Sequence, residues 1–177
     1  MSAARQPMRG AVFFDRDGVL NEDKGFVFRV ADFCWIDGAR EAVKLVNEAG
    51  LYAIVVTNQS GVARGYFDEA DVRALHDWMA SDLATIGARI DAFYYCPYLG
   101  EATVSAYAIA DHPDRKPNPG MILRAMRDFA IDPDRSLVIG DQLSDLEAGR
   151  RAGLGGRLYS GGSLAAMVGN ILAETAR

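Results

Sequence analysis

Nowhere does the chain carry an apolar run long enough to span a bilayer, which needs roughly 20 such residues. The N-terminal stretch from Met1 to Gly10 leads only into the short run Ala11 to Phe14, too brief for the apolar core of a secretory signal. Basic charge is also in short supply: 19 Lys and Arg stand against 24 Asp and Glu, a formal net charge of -5 with no basic cluster, which disfavours non-specific nucleic-acid binding. Cysteine occurs twice, as Cys34 and Cys96, and makes no disulfide framework. These absences point to the cytoplasm, with neither membrane nor nucleic acid among the expected partners. What is present is hydrophobic substance, half of 177 residues, enough for one continuous core. The expectation is one domain over residues 1–177, with 1–8 as a flexible N-terminal extension, acting as a monomer.

Short apolar runs alternate with helical patterns. The runs are Gly10 to Phe14, Leu51 to Val56, Ile90 to Tyr95, Ser136 to Ile139 and Leu154 to Tyr159. Between them, Ala39 to Ala49 places Ala42, Val43, Leu45 and Val46 on one face and stops at Gly50. Asp68 to Ile86 opens on a capping acid and spaces Val72, Leu75, Met79, Leu83 and Ile86 as a helix does. Pro119 to Ala130, Leu143 to Ala152 and Ser163 to Ala173 complete the set. Strand and helix in alternation predict an α/β fold, a Rossmann-like parallel sheet covered on both faces. Ligands of such sheets collect at the carboxyl ends of the strands.

Four polar clusters follow apolar runs or open helices. Asp15-Arg16-Asp17-Gly18-Val19-Leu20-Asn21 places two acids two residues apart where a strand breaks into a loop. One carboxylate there can attack phosphorus and bind a metal, and the second can protonate the leaving oxygen and activate water, while Gly18 turns the chain away. In Thr57-Asn58-Gln59-Ser60-Gly61-Val62-Ala63-Arg64-Gly65, a hydroxyl and free backbone amides suit phosphate oxygens. In Arg115-Lys116-Pro117-Asn118-Pro119-Gly120, two stiff prolines hold a cation for the phosphoryl group and a guanidinium fork for a second anion. Gly140-Asp141-Gln142-Leu143-Ser144-Asp145 offers a second magnesium carboxylate in Asp141. Asp145, one helical turn on, can cap the helix, orient Lys116 or bind metal.

Together, in this order, the clusters resemble the haloacid dehalogenase (HAD) superfamily of aspartyl-nucleophile phosphotransferases. The resemblance implies Asp15 as nucleophile, Asp17 as general acid/base, Thr57 as phosphoryl contact and Lys116 as the stabilising cation. It also implies Mg2+ on Asp15, Asp141 and the backbone carbonyl of Asp17. Only about 40 residues separate Asp15 from Thr57, and they already hold a loop and a helix, so no cap domain is expected.

Finer likeness is to the heptose-1,7-bisphosphate phosphatases and their relatives, the histidinol-phosphate phosphatases. It rests on Asp-Arg-Asp-Gly-Val-x-Asn, Thr-Asn-Gln-Ser-Gly-x-Ala-Arg-Gly, Cys-Pro and Arg-Lys-Pro-x-Pro-Gly-Met. The implied reaction removes the C7 phosphate of D-glycero-D-manno-heptose 1,7-bisphosphate; histidinol phosphate or a broader range of sugar phosphates is the alternative, and a non-catalytic binder is disfavoured by the intact acids. The implied substrate contacts are Arg16, Asp23, Lys24, Gly25, Phe26, Asn58, Gln59, Ser60, Arg115 and Gln142. The family's zinc loop is not matched: where it reads Cys-x-His and Cys-x-Cys, this chain has Cys96-Pro97-Tyr98 and then His112-Pro113-Asp114. Structural zinc takes four Cys or His ligands, so no zinc is expected, and the loop should be held by proline stiffness, the packing of Tyr94, Tyr95, Tyr98 and Tyr107, and hydrogen bonds from His112.

Overall fold

In a computed structural model that describes residues 8–175, five parallel strands form one sheet. The strands are β1 (Ala11–Phe14), β2 (Tyr52–Asn58), β3 (Ala92–Cys96), β4 (Leu137–Gly140) and β5 (Gly155–Leu158), in the order β3-β2-β1-β4-β5. The helices are α1 (Ala39–Glu48), α2 (Glu69–Ala84), α3 (Gly120–Asp128), α4 (Leu143–Arg151) and α5 (Leu164–Thr175). The expected N-terminal extension falls almost wholly outside the described residues. Among these, no helix is long and apolar enough to cross a membrane.

The central strand explains the continuous apolar runs. Every residue of β1 is buried because helices cover both faces, so alternation of side chains sends half of an unbroken apolar run to each core. Val12 and Phe14 meet α1, α2 and α5, while Ala11 and Phe13 meet α3 and α4. Strand order reverses about β1: β2 lies on one side and β4 on the other. That switch point opens a crevice past the carboxyl ends of β1 and β4. Between β1 and α3 the chain holds only α1, β2, α2, β3 and two single 3-10 turns, so no inserted domain roofs the crevice.

Local chemistry sets the element ends. Asp68 and Asp71 accept from each other's backbone N–H at 3.0 Å, a reciprocal cap that starts α2 where expected. The helix ends earlier than the apolar spacing suggests, and Ile86 lies beyond it in a turn closed at Gly87, φ +72°. Strand β2 runs past Val56 through Thr57 and Asn58, because both still pair in register with Tyr95 and Cys96 of β3. Trp35 packs with Phe33 and Trp78 against the core and donates from Nε1 to Asp82 at 2.8 Å.

Gly140, which ends β4, lies directly against Asp145 in the first turn of α4, and a Cβ there would strike the Asp145 side chain. Gly140→Ala is therefore expected to overpack this junction and cost roughly 2 kcal/mol, a fall in Tm on the order of 5 °C measurable by calorimetry, together with a loss of catalytic rate as Asp145 shifts.

Candidate active site

Past the carboxyl edge of the sheet lies a cavity of about 440 Å³, lined by all four predicted clusters. At its floor the Lys116 ammonium, side chain 3% exposed, sits 2.9 Å from Asp15 Oδ1, 2.7 Å from Asp145 Oδ1 and 2.9 Å from the Val56 carbonyl. Three acceptors match its three N–H donors. Its backbone is pinned by the Asn58 amide, which accepts from Lys116 N and donates to Lys116 O, both at 3.1 Å. The Lys116–Pro117 peptide is cis. Burial works to strip the proton from Lys116, but the charges of Asp15 and Asp145 outweigh it and raise its pKa. Burial also lifts the Asp15 carboxyl to about 6, with Lys116 pulling the other way.

Asp15 follows β1, and its N–H completes the ladder to Ile139 O at 3.0 Å. Its Oδ1 accepts from Arg16 N at 2.7 Å as well as from Lys116. Its Oδ2 receives no hydrogen bond from the described residues, so one oxygen is held and the other is free. Asp145 takes two of the roles left open by the sequence: Oδ1 pairs with Lys116, and Oδ2 accepts from Gln142 N at 3.0 Å, capping α4.

A divalent cation fits beside Asp15. Oxygens of Asp15, Asp141 and Asp145 approach within 4.8 Å of one another. Asp145 is already spent on Lys116 and the cap, whereas Asp141 Oδ1 is buried with no hydrogen-bond partner, and Oδ2 accepts only from Gln142 Nε2 at 2.9 Å. An orphaned buried carboxylate oxygen beside a second acid is the hard-oxygen pair that magnesium takes. Gly18 makes room for it: at φ +85° it turns the loop away, and any Cβ there would collide with the Asp141 carboxylate.

Asp17 also faces the cavity. Its carboxylate accepts from Asn21 Nδ2 at 3.0 Å, Gln59 Nε2 at 2.8 Å and Arg16 Nη2 at 2.9–3.0 Å. Gln59 Nε2 reaches Thr57 Oγ1 as well, at 2.9 Å, which leaves the Thr57 hydroxyl proton for a phosphate oxygen. Asp23, Gly25, Phe26, Asn58, Ser60, Arg115 and Gln142 lie on the wall where expected, joined by Gly61 and Ser144, which the sequence reading did not single out for substrate. Arg115 spends one donor on Tyr98 O at 3.1 Å and keeps the rest of its fork.

Two of the predicted substrate contacts do not line the cavity. Arg16 is fully buried beneath the cavity, its guanidinium held there by Asp17, the Val27 carbonyl and Gln59. Lys24 is not on the wall; its ammonium pairs with Glu22 at 3.2 Å in solvent. Across the cavity's side, Tyr98 stacks on His112 at 4.0 Å, and His112 Nδ1 accepts from Asp114 N at 3.1 Å. Glu69 accepts from Tyr95 at 2.6 Å and Tyr107 at 2.7 Å, which anchors the loop to α2. Cys96 is buried and Asp114 pairs with Arg124 at 3.1 Å, so Cys96, His112 and Asp114 do not converge.

The Asp15 carboxyl carries a stability prediction. With a folded pKa of about 6 against an ordinary 3.8, the folded state holds the proton more tightly, so ionising Asp15 opposes folding as pH rises through 6. In EDTA, Asp15→Asn is expected to melt above the wild type at pH 7.5, with the gap narrowing as pH falls below 6 and closing only below the ordinary carboxyl value of 3.8, as read by thermal scans. Lys116→Met leaves two buried acids uncompensated and should cost about 3–5 kcal/mol in denaturant unfolding.

Comparison with known proteins agrees with this geometry. A HAD-hydrolase-like family model matches residues 114–170. The chain is 46% identical to the D-glycero-beta-D-manno-heptose-1,7-bisphosphate 7-phosphatase of Rhodopseudomonas palustris, over 98% of this chain and 96% of that one. It is 47% identical to the corresponding alpha-anomer enzyme of Burkholderia mallei, over 82% and 76%. Among solved structures, D,D-heptose 1,7-bisphosphate phosphatase from B. bronchiseptica, complexed with magnesium and phosphate, superposes with a TM-score of 0.82 at 31% identity, covering 93% of this chain and 99% of that one. With such identity over nearly its whole length, the chain belongs to the HAD-like heptose-1,7-bisphosphate 7-phosphatase family.

Proposed function

We propose that this phosphatase removes the C7 phosphate of D-glycero-D-manno-heptose 1,7-bisphosphate in two displacements at Asp15. The observation that carries the reading is the asymmetry of that carboxylate: one oxygen is fixed by Arg16 N and Lys116, the other is unbonded at the cavity. In the first displacement the free oxygen bonds to phosphorus as the P–O bond to C7 breaks, and Asp17 gives its proton to the departing oxygen. In the second, water bonds to phosphorus while Asp17 takes its proton; the aspartyl ester breaks, releasing phosphate and restoring Asp15. Thr57 donates to a phosphoryl oxygen throughout, and Lys116 balances the charge that Asp15 passes to phosphorus. Magnesium, held by Asp15, Asp141 and the Asp17 carbonyl, supplies charge neutralisation between the carboxylate and the phosphate.

The remaining wall suits a sugar with a second anion. Arg115 supports recognition of the C1 phosphate through its free donors, while Asp23, Gly25 and Phe26 offer a loop to the heptose. Two unpaired thiols, Cys34 and Cys96, favour a reducing cytoplasmic setting, and the monomer is the state we infer.

Phosphate release from the bisphosphate should stop on Asp15→Asn, a fall on the order of 10⁴-fold or more, and 31P NMR should leave the C1 phosphate in place. Histidinol phosphate measured alongside should give a far lower kcat/KM; equal or better turnover of it, or none of the bisphosphate at saturating magnesium, would overturn the substrate assignment. Because Asp15 must lose its proton to bind metal, magnesium affinity by calorimetry should be about tenfold weaker at pH 5 than at pH 7.5, given a carboxyl titrating at about 6.

A further inference from the structure

Arg16 has no access to substrate, yet it is the largest fully buried side chain and carries a full charge. A guanidinium is kept inside only where its donors are met. Here they are met asymmetrically. Nη2 lies 2.9 and 3.0 Å from the two Asp17 oxygens, 2.6 Å from Val27 O and 3.2 Å from Gln59 Oε1, while Nε is 3.4 Å from Asp17 Oδ1. Nη1 faces His76 Nε2 at 3.4 Å. His76 stands on the buried face of α2, its ring stacked on Phe93 at 4.5 Å and 14°. Burial, then the Arg16 charge, lowers its pKa to about 3, so at working pH the imidazole is neutral and can accept. Gln59 closes the circuit, accepting from Arg16 and donating to Asp17 and Thr57.

We propose that Arg16 is a positioning residue for proton transfer, fixing the plane of the Asp17 carboxyl from beneath, and that His76 in turn fixes Arg16. This rests on Asp17 acting as the acid/base. Asp17 is otherwise a partly exposed side chain on a turn, where rotation would sweep its oxygens away from the scissile bond. Misplacement of a proton donor by about 1 Å can cost on the order of 10²-fold in rate. The clamp also explains why the chain carries arginine at this position: a planar fork fixes a carboxylate's orientation, whereas a lysine would fix only its distance.

The test separates proton delivery from general damage by the leaving group. A nitrophenolate departs without a proton, whereas a sugar or simple alkyl alkoxide needs one from Asp17. Single-turnover formation of the phosphoenzyme is followed on p-nitrophenyl phosphate, on a simple alkyl phosphate and on the heptose bisphosphate. Arg16→Met is expected to slow the alkyl and heptose reactions on the order of 10²-fold, with KM little changed, while nitrophenolate release stays within about threefold of wild type. His76→Leu removes only the acceptor on Nη1 and should give the same contrast, about tenfold; His76→Asn, which keeps an amide acceptor, should recover most of it. If Arg16→Met does not fold, the His76 pair carries the comparison. Equal losses on aryl and alkyl phosphates, a change in KM alone, or no change at all would overturn the proposal. An alkyl–aryl contrast without turnover of the heptose bisphosphate by the wild type would leave the clamp standing and sink the substrate reading instead.

Discussion

Lys116 is the interaction on which the site depends. Its ammonium lies almost wholly out of water, a position that a charge tolerates only when its donors are matched. The matching groups come from three segments: Asp15 directly after β1, the Val56 carbonyl within β2, and Asp145 in the first turn of α4. A single cation thus ties together the segments whose relative position defines the cavity. Asp145 reinforces the tie by capping α4, so a displaced lysine would disturb a helix start as well as a charge. Because all three N–H groups are engaged, the phosphoryl contact proposed for Lys116 must be exchanged for an existing bond. Asp15 Oδ1 is the partner to yield, since esterifying Asp15 removes its negative charge and places charge on the phosphoryl oxygens instead.

The fold was largely legible because its signal is repeated. A central strand such as Ala11 to Phe14 must be apolar on both faces, and its neighbours obey the same demand, so each announces itself as a short run. The reacting groups were legible for a related reason: a parallel sheet collects its loops at one edge, and polar clusters following apolar runs must meet there. The placement of Arg16 and Lys24 off the cavity wall was not legible because a loop has no periodicity. Nothing in Asp-Arg-Asp says that the middle side chain turns under the sheet edge, where the Val27 carbonyl and Gln59, distant in sequence, accept from it. His76 was readable and missed. It sits four residues after Val72 and three before Met79, on the apolar stripe of α2, where a histidine needs a buried partner.

Substrate choice falls to the loops, since no inserted domain covers the crevice in the described chain. That places a premium on loop rigidity. The segment from Pro97 to Pro119 carries both Arg115 and Lys116, and it is fastened by the Tyr98–His112 stack, by the Tyr107 and Tyr95 hydroxyls on Glu69, and by Asn58 on the Lys116 backbone. Aromatic packing and hydrogen bonds therefore fasten this loop to α2 and β2. Opposite, Phe26 holds a left-handed backbone, φ +54°, and meets Tyr66 edge-on at 4.8 Å, presenting an apolar corner beside the polar wall. A sugar, apolar on one face and rich in hydroxyls at its rim, fits between such surfaces.

In the proposed reaction two carboxylates two residues apart take opposite roles, and their neighbours account for the division. Asp15 is buried against a lysine, a compact charge that balances it while leaving one oxygen unbonded and reactive. Asp17 is bound through both oxygens by an arginine fork and two amides, a set that fixes orientation and leaves no oxygen free of a donor. A nucleophile needs an open lone pair; a proton carrier needs a defined direction. The same residue type becomes one or the other according to whether a point charge or a planar donor lies beneath it. That distinction resides in Lys116 and Arg16, not in the acids themselves.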